Sequence, residues 1–218
     1  MSDAYTQYEL DSSIKRLVEL ELAPVKGKFG LSHLKEIHRR IFQDFNHNIL
    51  PGEFRRPPPQ GKEWVKNRSI KVTSEPWRVV YSRMDDVAQS RLKQILDSIK
   101  PTELSLLGQT DFLHQIANLY TELDYIHPFQ DGNSRTLRTF TRQIAADAGY
   151  ELNWGKLELR QDGADLLCIA RDKGVNQLAL STLQDNENIL LVQNMLTRLE
   201  ACPDLVQVMS EYQLLSRF

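Results

Sequence analysis

Cysteine is nearly absent from this sequence: Cys168 and Cys202 are the only two in 218 residues. That excludes the disulfide framework that staples small secreted domains, and both thiols read as buried or idle groups in a reducing compartment. No apolar run approaches the roughly 20 residues that span a bilayer. MSDAYTQYEL has neither the basic region nor the apolar core of a signal segment. A cytoplasmic chain with no membrane partner is therefore expected, with secretion as an effector by another route left open. An excess of one charge is also missing. The 27 Lys+Arg against 29 Asp+Glu leave a formal charge of −2, which argues against nucleic-acid binding over the whole surface. Repeats and low-complexity tracts are absent apart from Pro57-Pro58-Pro59. What remains is a chain with 41% hydrophobic and 26% charged residues, long enough to bury its own core.

Helical periodicity dominates. Leu34, Ile37, Ile41, Phe42 and Phe45 form one apolar stripe over 32–45 behind a possible Ser32 cap, and His38 lies on that stripe. Residues 85–99 repeat the pattern ahead of Pro101. From Thr110 a broad stripe through Phe112, Ile116, Tyr120 and Leu123 predicts a central helix that runs into His127-Pro128. The pattern resumes through Leu137, Phe140 and Ile144 to Gly149, placed as a C-cap glycine. Segments 161–173 and 176–199 read as helices broken at Lys173-Gly174, and Pro203-Asp204 starts a last amphipathic piece. The one β signal is Ser69–Thr73, a turn at Ser74-Glu75-Pro76, and Trp77–Tyr81. The fold class expected is all-α with a small β-hairpin, since two short strands make no core alone. Charge is locally uneven: residues 53–93 hold ten Lys/Arg against five Asp/Glu, and residues 151–218 hold six against ten. The hairpin region thus carries +5 and the C-terminal layer −4, the former suited to an anion-attracting rim.

The densest chemistry lies in His127-Pro128-Phe129-Gln130-Asp131-Gly132-Asn133-Ser134-Arg135-Thr136-Leu137-Arg138. Pro128 forbids simple continuation of the preceding helix, and Gly132-Asn133 tolerates positive φ, so a loop should lead into a new helix near Ser134. Unpaired N–H groups at such a helix start, with the dipole behind them, accept an anion. Arg135, Arg138 and Arg142 share one helix face, and guanidinium forks suit phosphate oxygens. Asp131 offers a hard oxygen of the kind that holds Mg²⁺ beside a polyphosphate. His127 can deprotonate a hydroxyl near neutral pH. Together these point to nucleotidyl or phosphoryl transfer. Neither G-x-x-x-x-G-K-[ST] nor G-x-G-x-x-G occurs, and His33, His38, His47 and His114 show no zinc spacing.

HPFQDGNSRTLR resembles the signature of the Fic (Fic/Doc) family, H-P-F-x-[DE]-G-N-G-R-x-x-R, with Ser134 where glycine is usual. LKEIHRRIF, the G-x-x-R from Gly52 to Arg55, and AADAGYELNW are similar to surrounding family segments. The likeness covers roughly 30–185, leaving helical extensions at 1–29 and 186–218. The resemblance implies a mainly helical fold and transfer of AMP from ATP to a hydroxyl (Tyr/Thr/Ser) of a target protein, releasing pyrophosphate. It implies His127 as the base, Asp131 as the Mg²⁺ ligand, Gly132, Asn133 and Ser134 as the anion hole, Arg135 and Arg138 on the β- and γ-phosphates, and Phe129 as the loop's anchor. The hairpin, with Ile70, Val72, Val79 and Tyr81, would be a flap that docks the target by strand addition. Ser134 keeps its backbone N–H, so the cradle survives if this residue is helical. Family members often carry an inhibitory [ST]-x-x-x-E-[GN] helix. Here Arg16 stands where its Glu would follow Ser12, and Asp185-Asn186 after Ser181 is the nearest approach, so control by a small antitoxin-like partner and self-modification are expected. Transfer of another phosphate-containing group, or a non-catalytic nucleotide-binding or interaction module, stays open as an alternative.

Overall fold

The computed structural model describes residues 7–45, 49–69, 76–159 and 161–218. Its centre is α5 (Gln109–Ile126), whose apolar stripe is broad enough to touch several neighbours. Helix α6 (Asn133–Asp147) follows it through the motif loop and packs beside it, and α2 (Leu31–Phe42) covers α6. Helix α3 (Asp86–Asp97), N-capped by Asp85, and the single turn α4 (Pro101–Leu104) close one flank. Helix α1 (Gln7–Leu22) lies across α2.

The C-terminal part folds back as α7 (Gly163–Leu180), α8 (Asn186–Arg198) and α9 (Leu205–Glu211), the last two N-capped by Asp185 and Asp204. The break expected at Lys173-Gly174 does not occur, because α7 runs through it. A Cβ on Gly174 would lie 2.8 Å from Thr121 Cγ2, so this glycine serves the close approach of α5 and α7. A 3₁₀ helix (Trp154–Leu159) and two antiparallel strand pairs complete the described chain. One is β1 (Trp64–Arg68) with β2 (Trp77–Tyr81); the other joins β3 (Tyr150–Leu152) to β4 (Leu215–Arg217).

A hairpin is present, and the strand paired with Trp77–Tyr81 is Trp64–Arg68; of the expected first strand Ser69–Thr73, residues 70–73 lie outside the described residues. Register runs from Trp64 opposite Tyr81 to Arg68 opposite Trp77. Side chains hold that register: the Arg55 guanidinium lies 4.4 Å over the Trp64 ring, and Arg68 donates to the Tyr81 hydroxyl at 3.1 Å. Ile70 and Val72 lie outside the described residues. The larger core runs from Leu20 to Leu215 and includes Phe42, Phe112, Phe140 and Tyr150. A smaller one joins β2 to α7 and α8 through Trp77, Val79, Val175 and Met195.

Candidate functional site

His127 is the C-cap of α5, left-handed at φ 48. Pro128 disfavours the helical conformation for the residue before it, and the carbonyls freed where α5 stops must find other donors. Ser82 N–H meets Tyr125 O at 2.9 Å, and Arg55 meets the next two. Its guanidinium donates to His127 O at 2.7 Å, Ser82 O at 2.5 Å and Ile126 O at 3.3 Å, and its own N–H donates to Pro128 O at 2.9 Å. The Ser82 hydroxyl adds a bond to Ile126 O at 2.8 Å. A buried cation against a helix C-terminus is also favoured by the dipole. Sequence reading met Arg55 only as part of G-x-x-R; the signal was its fixed distance from Gly52, and its task appears only in three dimensions.

The loop that follows is tied internally. Asn133 Oδ1 accepts from Phe129 N–H at 2.9 Å, and Asn133 Nδ2 donates to Phe129 O at 2.7 Å. Phe129 is fully buried and stacks on His38 at 3.8 Å and 6°. Gly132, the N-cap of α6, has φ 75, and a Cβ there would lie 2.2 Å from the Phe42 ring. Its N–H donates to Asp131 Oδ1 at 2.6 Å. Thr136 N–H makes the first helical bond, to Gly132 O, so the N–H groups of Asn133 and Ser134 stand ahead of the ladder. Ser134 is helical, the condition expected of it, and its Oγ accepts from Arg171 Nη1 at 3.2 Å.

Beside the loop lies a buried ionic layer that sequence reading missed entirely. Arg171 of α7 pairs bidentately with Asp124 of α5, both contacts at 3.0 Å. Burial pushes the Asp124 carboxyl up, but Arg171 and His127 outweigh it and hold it down at about 2. Its neighbour Asp172 accepts from Trp77 Nε1 at 2.9 Å and lies 3.3 Å from Arg68 Nε. His127 Nδ1 is 3.6 Å from Asp124 Oδ1, and the ring packs against Tyr81 with centroids 3.9 Å apart. The imidazole is 3% exposed, and among the described residues neither ring nitrogen has a partner within hydrogen-bond distance. Burial drives its pKa down to about 3, with Asp124 pulling upward and Lys66 and Arg55 adding to the fall. Lys66 on β1 is likewise pushed down by burial, opposed by Asp131 and Asp124.

Arg135, Arg138 and Arg142 all line one cavity of about 560 Å³, with Leu17, Leu20 and Tyr150. His127 and Asp131 are not on its walls. Arg135 donates to Ser13 Oγ of α1 at 2.9 Å and lies 4.8 Å over the Phe42 ring; Arg142 pairs with Glu21. The shared face predicted for the three arginines is therefore present, but α1 occupies part of it. Val79 is buried in the smaller core and Tyr81 against His127, so neither presents a free side chain. Asp185, the nearest approach to an inhibitory glutamate, caps α8 through Asn188 N–H at 2.8 Å.

The family model described as Fic/DOC family matches residues 28–145, more than half of the chain and the whole of the motif loop. The chain belongs to the Fic/DOC family. Among curated Fic relatives it is 28% identical over 148 residues to "Protein adenylyltransferase VbhT" of Bartonella schoenbuchensis, covering 67% of this chain and 27% of that protein. It is 26% identical over 144 residues to "Probable protein adenylyltransferase Fic" of Escherichia coli strain K12, covering 66% of this chain and 62% of that one. The chain thus spans less than two thirds of the length of either. In fold it is similar to the N-terminal Fic domain of a Bartonella quintana cell filamentation protein solved with bound ADP, at TM-score 0.61 and 17% identity over 97% of this chain and 84% of that one. No helix among the described residues is long and apolar enough to cross a membrane.

Proposed function

We propose that the chain transfers AMP from ATP to a hydroxyl side chain (Tyr/Thr/Ser) of a protein. The observation that carries the reading is His127: a buried imidazole at the mouth of the loop that opens α6, with Asp124 3.6 Å from Nδ1 and no hydrogen-bond partner for Nε2 among the described residues. A buried polar atom without a partner is costly unless a substrate supplies one. In the step proposed, the target hydroxyl oxygen attacks the α-phosphorus and its proton passes to His127 Nε2. The bond from the α-phosphorus to the bridging oxygen breaks, and the electron pair leaves with pyrophosphate. A base held near 3 takes that proton poorly, so the negative charge of bound polyphosphate is needed beside it to raise its pKa. The names of the relatives support the same reading.

Asn133 and Ser134 N–H groups and the α6 dipole would meet the phosphates, with Arg135 and Arg138 on the outer ones and Phe129 anchoring the loop. Asp131 is exposed, and the described residues contain no group of three or more metal-ligating side chains. One carboxylate fits Mg²⁺, which keeps waters and takes its other ligands from phosphate; it would supply charge neutralisation there. The hairpin supports target docking through β1. Asn176 accepts from Val80 N–H at 3.0 Å and donates to Arg78 O at 2.9 Å, which blocks the far edge of β2 and leaves β1 to receive a strand. Tyr81 must give way before a hydroxyl reaches His127. Control by a small antitoxin-like partner belongs to the same proposal, with self-labelling of the purified chain as its expected companion.

Incubation with Mg²⁺ and α-labelled or γ-labelled ATP tests the reading. Protein label from the α position, lost in His127→Ala, is expected. Label from the γ position, or none from either, refutes it.

A further inference from the structure

The same buried layer bears on how the base is prepared. A neutral imidazole carries one proton, and which nitrogen holds it is set by what the ring faces. Asp124 Oδ1 lies 3.6 Å from His127 Nδ1. A carboxylate is an acceptor only, so the nitrogen turned toward it is the one that carries hydrogen. We infer that Asp124 is a positioning residue that holds His127 in the Nδ1–H form and leaves the Nε2 lone pair free to accept a proton.

Two further groups keep Asp124 in place. Arg171 engages both carboxylate oxygens at 3.0 Å, which fixes the plane of the carboxylate. The remaining Arg171 nitrogen reaches Ser134 Oγ at 3.2 Å. Ser134 is the signature position where glycine is usual, and glycine has no side chain to make this bond. The serine therefore ties the first turn of α6 to the ion pair that faces the base. One network joins α5, α6 and α7 and sets the ring at their junction. Its effect on the rate rests on the AMP-transfer reading; the tautomer itself does not.

The test uses the full chain with ¹⁵N-labelled histidine, free of nucleotide, near pH 7.5. Two-bond nitrogen–proton NMR correlations report the tautomer, and His127→Ala identifies the signals. Wild type is expected to show Nδ1–H. Asp124→Asn is the first variant. Because an unpaired Arg171 threatens folding, the second is Asp124→Leu with Arg171→Met, which replaces the buried ion pair by apolar chains. Either folded variant is expected to move His127 toward Nε2–H and to lower kcat for AMP transfer on the order of 10²-fold, with KM for ATP within a few-fold. Asp124→Glu, which returns a carboxylate, should restore the Nδ1–H signal. Nε2–H in wild type, or Nδ1–H persisting in the double variant, overturns the inference. If the tautomer follows Asp124 but no AMP is transferred, the functional reading fails and the positioning stands. If AMP is transferred and the tautomer ignores Asp124, the inference fails alone.

Discussion

Two small residues of the motif segment, Gly132 and Ser134, tolerate change very differently. Gly132 has φ 75 and the Phe42 ring where a Cβ would sit, 2.2 Å away. Alanine there meets both a disfavoured backbone and an aromatic wall that cannot move without disturbing His38 and Phe129. Gly132→Ala should cost about 3 kcal/mol in urea unfolding, in the range of overpacking plus backbone strain, and should abolish ATP binding measured by calorimetry. Ser134 is helical, so Ser134→Gly meets no clash. It loses one hydrogen bond from Arg171 and adds backbone freedom to the unfolded chain, together about 1–2 kcal/mol. Equal effects of the two changes would contradict this account. Both residues stood out in the sequence because the loop's chemistry is contiguous. Asp124 and Arg171 did not: they are 47 positions apart and sit on stripes that periodicity reads as ordinary helix faces.

At the scale of elements, the hairpin is anchored by α7 as well as by its own pairing. Asn176 is fully buried, bonds both Val80 N–H and Arg78 O, and so stands in for a neighbouring strand. Asn176→Leu keeps the volume but leaves a buried N–H and a half-buried carbonyl unmatched, costing about 1–3 kcal/mol for each fully desolvated group. Amide exchange at Val79, Val80 and Tyr81 should then speed up well before that of α5 or α6; uniform protection would mean that β1 alone secures β2. Elements were legible where their pattern was local. The α5 stripe, the 85–99 stripe ahead of Pro101 and the proline after α5 all placed helix ends within a few residues. Trp64–Arg68 did not show as the partner of Trp77–Tyr81, because its support comes from Arg55 stacked on Trp64 and from Asp172, which is far away in the chain. Gly174 read as a breaker because tight packing and flexibility both select glycine.

The whole molecule closes on itself at its C-terminal end, and its histidines set how it responds to acid. Leu205, Val208, Met209, Leu214 and Leu215 are buried in the larger core, and β4 pairs with β3. At about 2 kcal/mol for each buried side chain, ending the chain at Cys202 removes on the order of 10 kcal/mol, as much as most domains possess. That variant should lack cooperative unfolding by circular dichroism; a sharp transition would count against a single core. Within that core His33 bonds Gln143 at 2.8 Å, and His38 accepts from Gly52 N–H at 2.9 Å on Nδ1. Protonating the His38 ring breaks that bond, and burial depresses its pKa to about 4; burial lowers His33 too, and His127 lies near 3. Above pH 6.5 these rings are neutral in both folded and unfolded chains and contribute no pH dependence. As pH falls below 6.5 the unfolded chain takes up protons that the native state refuses, so stability is lost down to the native pKa values. For His38 alone the loss at pH 5 is about 2 kcal/mol. The carboxylates held low, Glu36 and Asp124 near 2, lose their stabilising charge only below about pH 4. Urea midpoints should therefore fall between pH 7.5 and pH 5, where those carboxylates are silent, and His38→Gln should flatten part of that slope. An unchanged midpoint across this window would mean that the histidines take up their protons as readily in the native fold as in the unfolded chain.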